Sequence, residues 1–229
     1  ARKMKRWSNM AKTFTRIGRE IIIAVKDSGP DPSTNSKLRA IIQNAKAANM
    51  PKDNIERAIK NASEKSTEDF KEILLEGYGP HGIAILVEAA TDNNNRTVAN
   101  IRSYFNKCDG NLATSGSVDF LFNHLCFFQI RDEGLDIEEL ELDLIDFGVT
   151  DLSKSESEIS ITAKFENFGS LQKELERRKF DIISSEFERE AITLKDLSED
   201  EIIKVEKLIN MIDEDDDVQN VYHNMKSDN

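Results

Sequence analysis

Cysteine is nearly missing from this chain: Cys108 and Cys126 are the only two among 229 residues. Two thiols cannot build a disulfide framework, so the expectation is two reduced, buried thiols in a cytoplasmic protein. Long apolar runs are missing as well. The longest aliphatic stretch, Ile21 to Val25, is far short of the roughly 20 residues a membrane span needs, and no membrane partner is expected. No apolar segment followed by a small-residue cleavage site opens the chain, and no secretory signal is read there. Basic charge is also short. Lys and Arg number 31 against 43 Asp and Glu, a net of −12, which excludes a generally basic, nucleic-acid-coating protein.

That shortage is uneven. Residues 1–66 hold 15 basic and 6 acidic side chains, a net of +9, whereas residues 67–229 hold 16 and 37, a net of −21. The asymmetry points to a local polyanion-binding segment on a self-repelling body.

Hydrophobic period divides the chain in the same place. Met10, Phe14, Ile17, Ile21 and Val25 recur every three or four residues and predict a helix that stops at Ser28-Gly29-Pro30. A second helix is expected from Asn35 or Ser36 to Asn49, and a third after Pro51. From about residue 72 the period becomes that of strands. Glu72–Tyr78 and Ile83–Glu88 flank a hairpin turn at Gly79–Gly82, and Thr91 or Asp92 is expected to cap the next helix. Strands are expected at 118–122, 126–130, 158–163 and 181–188, with helices at 137–144 and 169–178. Ser198 with Glu201 marks a capping box before a last helix, and Val218–His223 reads as a last strand. The fold class is therefore α+β in three domains. These are a basic helical domain (1–71), a central α/β domain (72–132 plus 191–229), and an acidic α/β domain (133–190) inserted in it.

Motifs for catalysis or cofactors fail on their context. Gly77-Tyr78-Gly79-Pro80-His81-Gly82 fits G-x-G-x-x-G, yet the β-prone run Ile83–Val87 follows where a phosphate-binding helix is needed. Asp213–Asp217 imitates the start of a calcium loop, but Val218 and Asn224 stand where Gly and Glu are required, which leaves a solvated acidic loop. The three histidines and two cysteines show no zinc spacing, and Ser115-Gly116-Ser117 lacks the nucleophile elbow. No catalytic residue, cofactor or metal is expected.

Two segments carry binding chemistry. Arg2, Lys3, Lys5 and Arg6 precede Trp7, whose ring has two readings, cover for the core or a stacking surface for a base. Lys12, Arg16 and Arg19 follow off the apolar stripe, then Lys37, Arg39 and Lys46 on the second helix and Lys52 on the third. Such cations supply sequence-independent affinity for phosphates. The other segment, Asn94, Asn95, Arg96 and Thr97, gathers donors at a strand-to-helix junction and forms a possible anion site, with plain helix capping as the competing reading.

Glu76-Gly77-Tyr78-Gly79-Pro80-His81-Gly82, Thr91–Thr97, Gly110-Asn111-Leu112, Ser115-Gly116-Ser117-Val118 and the segments Lys37-Leu38-Arg39 through Asn49–Ile59 together resemble the YebC/PmpR family. The match runs in order over nearly the whole chain and is weakest at 133–190. Many members open on Gly-His-Ser-Lys-Trp where Arg2–Trp7 stands here, and Ala113 replaces a usual Gly. The resemblance implies three domains, no cofactor and no catalytic residue. Family members are described as probable transcriptional regulators that bind DNA. Mitochondrial relatives are translational activators of cytochrome c oxidase, and bacterial ones are given ribosome-associated roles. The reading adopted is a non-enzymatic, cytoplasmic, DNA-binding regulator of gene expression. A ribosome-associated translation factor contacting RNA is the alternative, and an enzyme with an acidic central cleft is the third. Oligomeric state is not legible.

Overall fold

Apolar side chains at helical spacing close the first 62 positions into three helices, α1 (Arg2–Ser28), α2 (Ser36–Ala47) and α3 (Lys52–Ala62). The computed structural model describes residues 2–64 and 69–226, with side chains from Met10 onward. Ile17, Ile21, Val25, Leu38, Ile41, Ala45 and Ile55 are buried together. Met10, at the head of the α1 stripe, is 40% exposed, so the buried core of the bundle begins about two turns further on, at Ile17. One buried residue joins the first two helices. The Asn35 side chain accepts from the Leu38 N–H (3.0 Å) as the cap of α2, and it donates to the Ala24 (2.8 Å) and Gly29 (2.9 Å) carbonyls at the end of α1.

The remaining elements are β1 (Lys71–Tyr78), β2 (Ala84–Thr91), α4 (Asn94–Lys107), β3 (Asn111–Leu112), β4 (Phe122–Arg131), α5 (Ile137–Leu144), β5 (Val149–Lys154), β6 (Glu158–Lys164), α6 (Phe168–Arg177), β7 (Ile182–Ala191), α7 (Glu199–Asp213) and β8 (Val218–His223). They build two four-stranded sheets, of order β3-β1-β2-β8 and β5-β6-β4-β7. β1 and β2 form an antiparallel hairpin from Lys71↔Thr91 to Tyr78↔Ala84, closed by a 3₁₀ turn at Pro80–Gly82. The tail strand β8 pairs with β2, with His223 opposite Ile85. β4-α5-β5-β6-α6-β7 follows the β-α-β-β-α-β succession of a split, ferredoxin-like unit. Its core joins Cys126, Phe128, Ile130, Ile159 and Ile161 from the sheet to Leu140, Leu144, Leu171 and Leu175 from the helices.

The chain forms two compact units, residues 1–67 with 124–189 and residues 68–123 with 190–229. In the first, the helical segment is fastened to the ferredoxin-like unit. Arg39 pairs with Glu176 of α6, and Gln172 donates to the Ser36 carbonyl. In the second, Ile85, Val87, Ile101, Phe105, Val205, Leu208 and Ile212 pack α4 and α7 onto one face of the sheet. Gly77 permits this approach, since a Cβ there would lie 2.7 Å from the Phe105 ring and 2.8 Å from the Asn111 carbonyl oxygen.

Three local expectations are corrected. Residues 118–122 are not a strand: a 3₁₀ turn at Asp119–Leu121 precedes β4. The cause is buried Glu76, whose carboxylate accepts from the N–H groups of Gly116 (2.7 Å), Val118 (2.7 Å) and Asp119 (2.9 Å) and bends the segment around itself. Asn93, rather than Thr91 or Asp92, caps α4 by accepting from the Arg96 N–H (3.1 Å). The acidic loop after α7 is not wholly solvated, because Asp217 is 4% exposed and fully engaged.

Candidate nucleic-acid interface

Each basic side chain of the helical segment is placed by the apolar stripe of its own helix. On α1, Ile17, Ile21 and Val25 turn inward and Lys12, Arg16 and Arg19 are left half-buried at the flank. On α2, Leu38, Ile41 and Ala45 turn inward, which exposes Lys46 and leaves Lys37 half-buried. Arg16, Arg19 and Lys37 also take part in contacts with neighbouring residues. On α3, Ile55 and Ala62 are buried and Lys52, Arg57 and Lys60 are exposed. Arg57 and Lys60 were not singled out from the sequence, although the stripe Ile55, Ala58, Ile59 and Ala62 already assigns them to the outer face. The side chains of Arg2, Lys3, Lys5, Arg6 and Trp7 lie outside those described, while the backbone there belongs to α1.

Not every cation is available to a ligand. Arg39 donates to both Glu176 oxygens (3.0 and 3.1 Å) and to the Pro32 (2.7 Å) and Ser33 (3.1 Å) carbonyls, so its charge is met within the fold. Lys52 faces Glu56 at 3.5 Å, a solvent-exposed pair that holds little energy. Lys46, Arg57 and Lys60 have no ion-pair partner among the described residues.

Asn94, Asn95, Arg96 and Thr97 belong to the other compact unit, at the first turn of α4. Their donors are largely used. The Arg96 guanidinium reaches Asp217 (2.9 Å) and Asp92 (2.8 Å), and these two carboxylates, Asp217 foremost, raise its pKa further. The Thr97 hydroxyl lies 2.7 Å from Asp217 Oδ2, 2.7 Å from the Thr91 hydroxyl and 3.1 Å from the Asn93 carbonyl. Next to this, Tyr104 donates to Asp215 (2.9 Å), and burial, then that carboxylate, pushes its hydroxyl up to about 12. The cluster ties α4 to the loop between α7 and β8. Asn94 and Asn95 remain exposed.

The hairpin turn in the glycine-rich run is held by different chemistry. His81 sits at φ +61°, with Nδ1 3.2 Å from Glu201 of the α7 capping box, and its carbonyl accepts from Lys195. Cys108 and Cys126 are both free and buried, and burial pushes the Cys126 thiol up to about 11, away from reactivity. Among the described residues no group of His, Cys, Asp and Glu could hold a metal ion, and no helix is long and apolar enough to cross a membrane.

Comparisons with known proteins cover nearly the whole chain. A family model described as the TACO1/YebC protein N-terminal domain matches residues 1–65, and one described as the TACO1/YebC second and third domain matches residues 70–225. A protein of Flavobacterium johnsoniae named probable transcriptional regulatory protein is 65% identical over 99% of this chain and 96% of its own. Proteins of the same name from Parabacteroides distasonis and Myxococcus xanthus are 54% and 49% identical, covering 100% and 98% of this chain and 94% and 96% of theirs. The crystal structure of a conserved hypothetical protein from Aquifex aeolicus superposes with a TM-score of 0.75 at 38% identity, over 94% of this chain and 90% of that one. With both models matched in order and along nearly its whole length, the chain belongs to the TACO1/YebC family.

Proposed function

We propose that this chain is a non-enzymatic regulator of gene expression that binds DNA in the cytoplasm through its helical segment. The relatives' shared name, probable transcriptional regulatory protein, supports the regulatory role and favours DNA as the target. The observation that carries the binding surface is the exposure of Lys46, Arg57 and Lys60, which have no ion-pair partner among the described residues, in the segment with a positive excess. Elsewhere carboxylates outnumber cations more than two to one, so the helical segment holds the largest concentration of positive charge.

The test replaces Lys46, Arg57 and Lys60 with Glu and measures affinity for duplex DNA against salt. All three are exposed, so the fold should survive. Each lost phosphate contact removes about 0.9 from the log–log salt slope, so the slope should become shallower by up to ~2.7 and affinity should drop. Reversal of Lys164, Lys173 and Lys179 in the acidic unit should change little. A folded triple variant with unchanged affinity and slope on duplex DNA defeats the proposal. Loss confined to ribosomal RNA would move the target from DNA to the ribosome.

A further inference from the structure

Six arginines lie between residues 69 and 226. Arg96 pairs with Asp92 and Asp217, Arg131 with Asp181, and Arg177 and Arg178 with Glu174. Arg189 is also engaged. Arg102 is the exception: it is exposed and has no ion-pair or hydrogen-bond partner among the described residues. In a stretch where carboxylates outnumber cations by 37 to 16 (residues 67–229), an arginine standing alone is unexpected on electrostatic grounds. Lys107, one turn and a half further along the same helix, is exposed and unpaired too.

The helix that carries them is itself unusual. The 14 residues of α4, NNRTVANIRSYFNK, include no acid, whereas α5, α6 and α7 each carry at least two. Thr97, Ile101 and Phe105 bury one face. The outer face forms a shallow hollow of about 420 Å³ lined by Ala99, Arg102, Ser103, Asn106 and Lys107. At 3.6 residues per turn, Arg102 and Lys107 fall at its two edges, with Asn106, Ala99 and Ser103 between them. Along the axis the two positions are ~7.5 Å apart, on opposite edges of this face.

We propose that this outer face of α4 is a second contact surface for the phosphate backbone of duplex DNA. Arginine, lysine, serine and asparagine are the side chains that bind phosphate oxygens, and the small Ala99 leaves room for a backbone to approach. The Asp217 cluster has a supporting part in this arrangement: by consuming Arg96 and Thr97 it fixes the start of α4, so that the free cations further on are held in place. The proposal rests on the reading of the protein as a DNA binder.

The test compares four proteins on one random-sequence duplex, by affinity and salt slope. These are the wild type, the triple reversal in the helical segment, Arg102→Gln/Lys107→Gln, and a control, Lys204→Gln/Lys207→Gln, that removes equal charge from the exposed side of α7. Removing two contacts should lower the slope by ~1.8 and weaken binding at least ~10-fold at 0.1 M salt, with the control near wild type. If the wild type does not bind, the functional reading itself fails and this surface with it. If the wild type binds, the triple reversal weakens it and the α4 variant does not, only the second surface is overturned. Equal weakening by the α7 control also overturns it, because the effect would then come from net charge. Circular dichroism on each variant verifies that the fold is retained.

Discussion

Asn44 and Ser185 exchange two hydrogen bonds. The Asn44 Nδ2 donates to the Ser185 carbonyl at 2.6 Å, and the Ser185 N–H donates to Asn44 Oδ1 at 2.8 Å. Ser185 lies on β7, an edge strand of its sheet, where an outward-facing N–H and C=O would otherwise lack a partner. The amide of a helix residue thus takes the place of a neighbouring strand. Asn44→Ala should lose both bonds and strand two sheltered backbone groups, at a cost of ~2 kcal/mol. Asn44→Asp should also be destabilising, because it loses the donor and sets a carboxylate against a carbonyl oxygen. Urea unfolding of both variants, with unchanged m-values, is the measurement. Stability equal to wild type in Asn44→Ala would remove the pair from any structural role.

A second long-range contact has a local readout. Glu76 on β1 holds the loop at 116–119 through three backbone N–H groups. Glu76→Ala leaves those donors without an acceptor and should cost ~3 kcal/mol, since bonds to a charged acceptor are the stronger kind. Hydrogen exchange locates the effect. The amides of Gly116, Val118 and Asp119 should lose protection first, ahead of the β1–β2 hairpin. Uniform loss across the sheet would mean that Glu76 supports the whole unit and not the loop.

These contacts also mark the limit of what the sequence discloses. The stripe Ile17, Ile21, Val25, the capping box Ser198–Glu201 and the strand Val218–His223 are local patterns, and each was legible from neighbours within a few positions. Asn44 and Ser185 are 141 residues apart, Arg39 and Glu176 are 137 apart, and Asp217 and Arg96 are 121 apart. Hydrophobic period says which face turns inward, but it does not name the polar partner waiting there. For that reason Arg39 looked like another phosphate-binding cation, and Asp217 like one acid in a solvated run. Arg102 and Lys107 carry no local signal either, because the lack of a partner is a property of the fold and not of neighbouring positions.

The acid dependence of stability should centre on α6. Side-chain bonds from Arg177 and Arg178 hold the Glu174 carboxylate down at about 2, well below its ordinary 4.5, and Arg178 also pairs with Asp143. With the folded value depressed, the contribution is complete above pH 4.5 and is lost as pH falls toward 2. Glu174→Gln should therefore be less stable than wild type at pH 7, and the gap should close between pH 4.5 and 2. Thermal melts across that window supply the check. A gap independent of pH would assign the loss to packing and not to charge. His223 adds a separate step at milder acidity. Burial lowers its pKa below 6.5, so its protonation costs stability as pH drops through 6.5.

The two carboxylates beside Arg96 should differ sharply in what they contribute. Asp217 has a side chain only 6% exposed and holds Thr97 as well as Arg96, whereas Asp92 meets the guanidinium at 32% exposure, near the surface. Asp217→Ala removes the shared acceptor and leaves the buried Thr91 and Thr97 hydroxyls and a guanidinium short of partners, a loss of ~3 kcal/mol. Asp92→Ala breaks an exposed i,i+4 pair and should cost under ~1 kcal/mol. A double-mutant cycle on Arg96→Gln and Asp217→Asn should return a coupling well above that for Arg96→Gln and Asp92→Asn. Because the Asp217 cluster fastens α4, Asp217→Asn should also loosen the first turn of that helix, read as faster exchange at Arg96 and Thr97 while Phe105 stays protected. If the two couplings prove equal, the buried carboxylate gains nothing from its burial, and α4 is held by Ile101 and Phe105 alone.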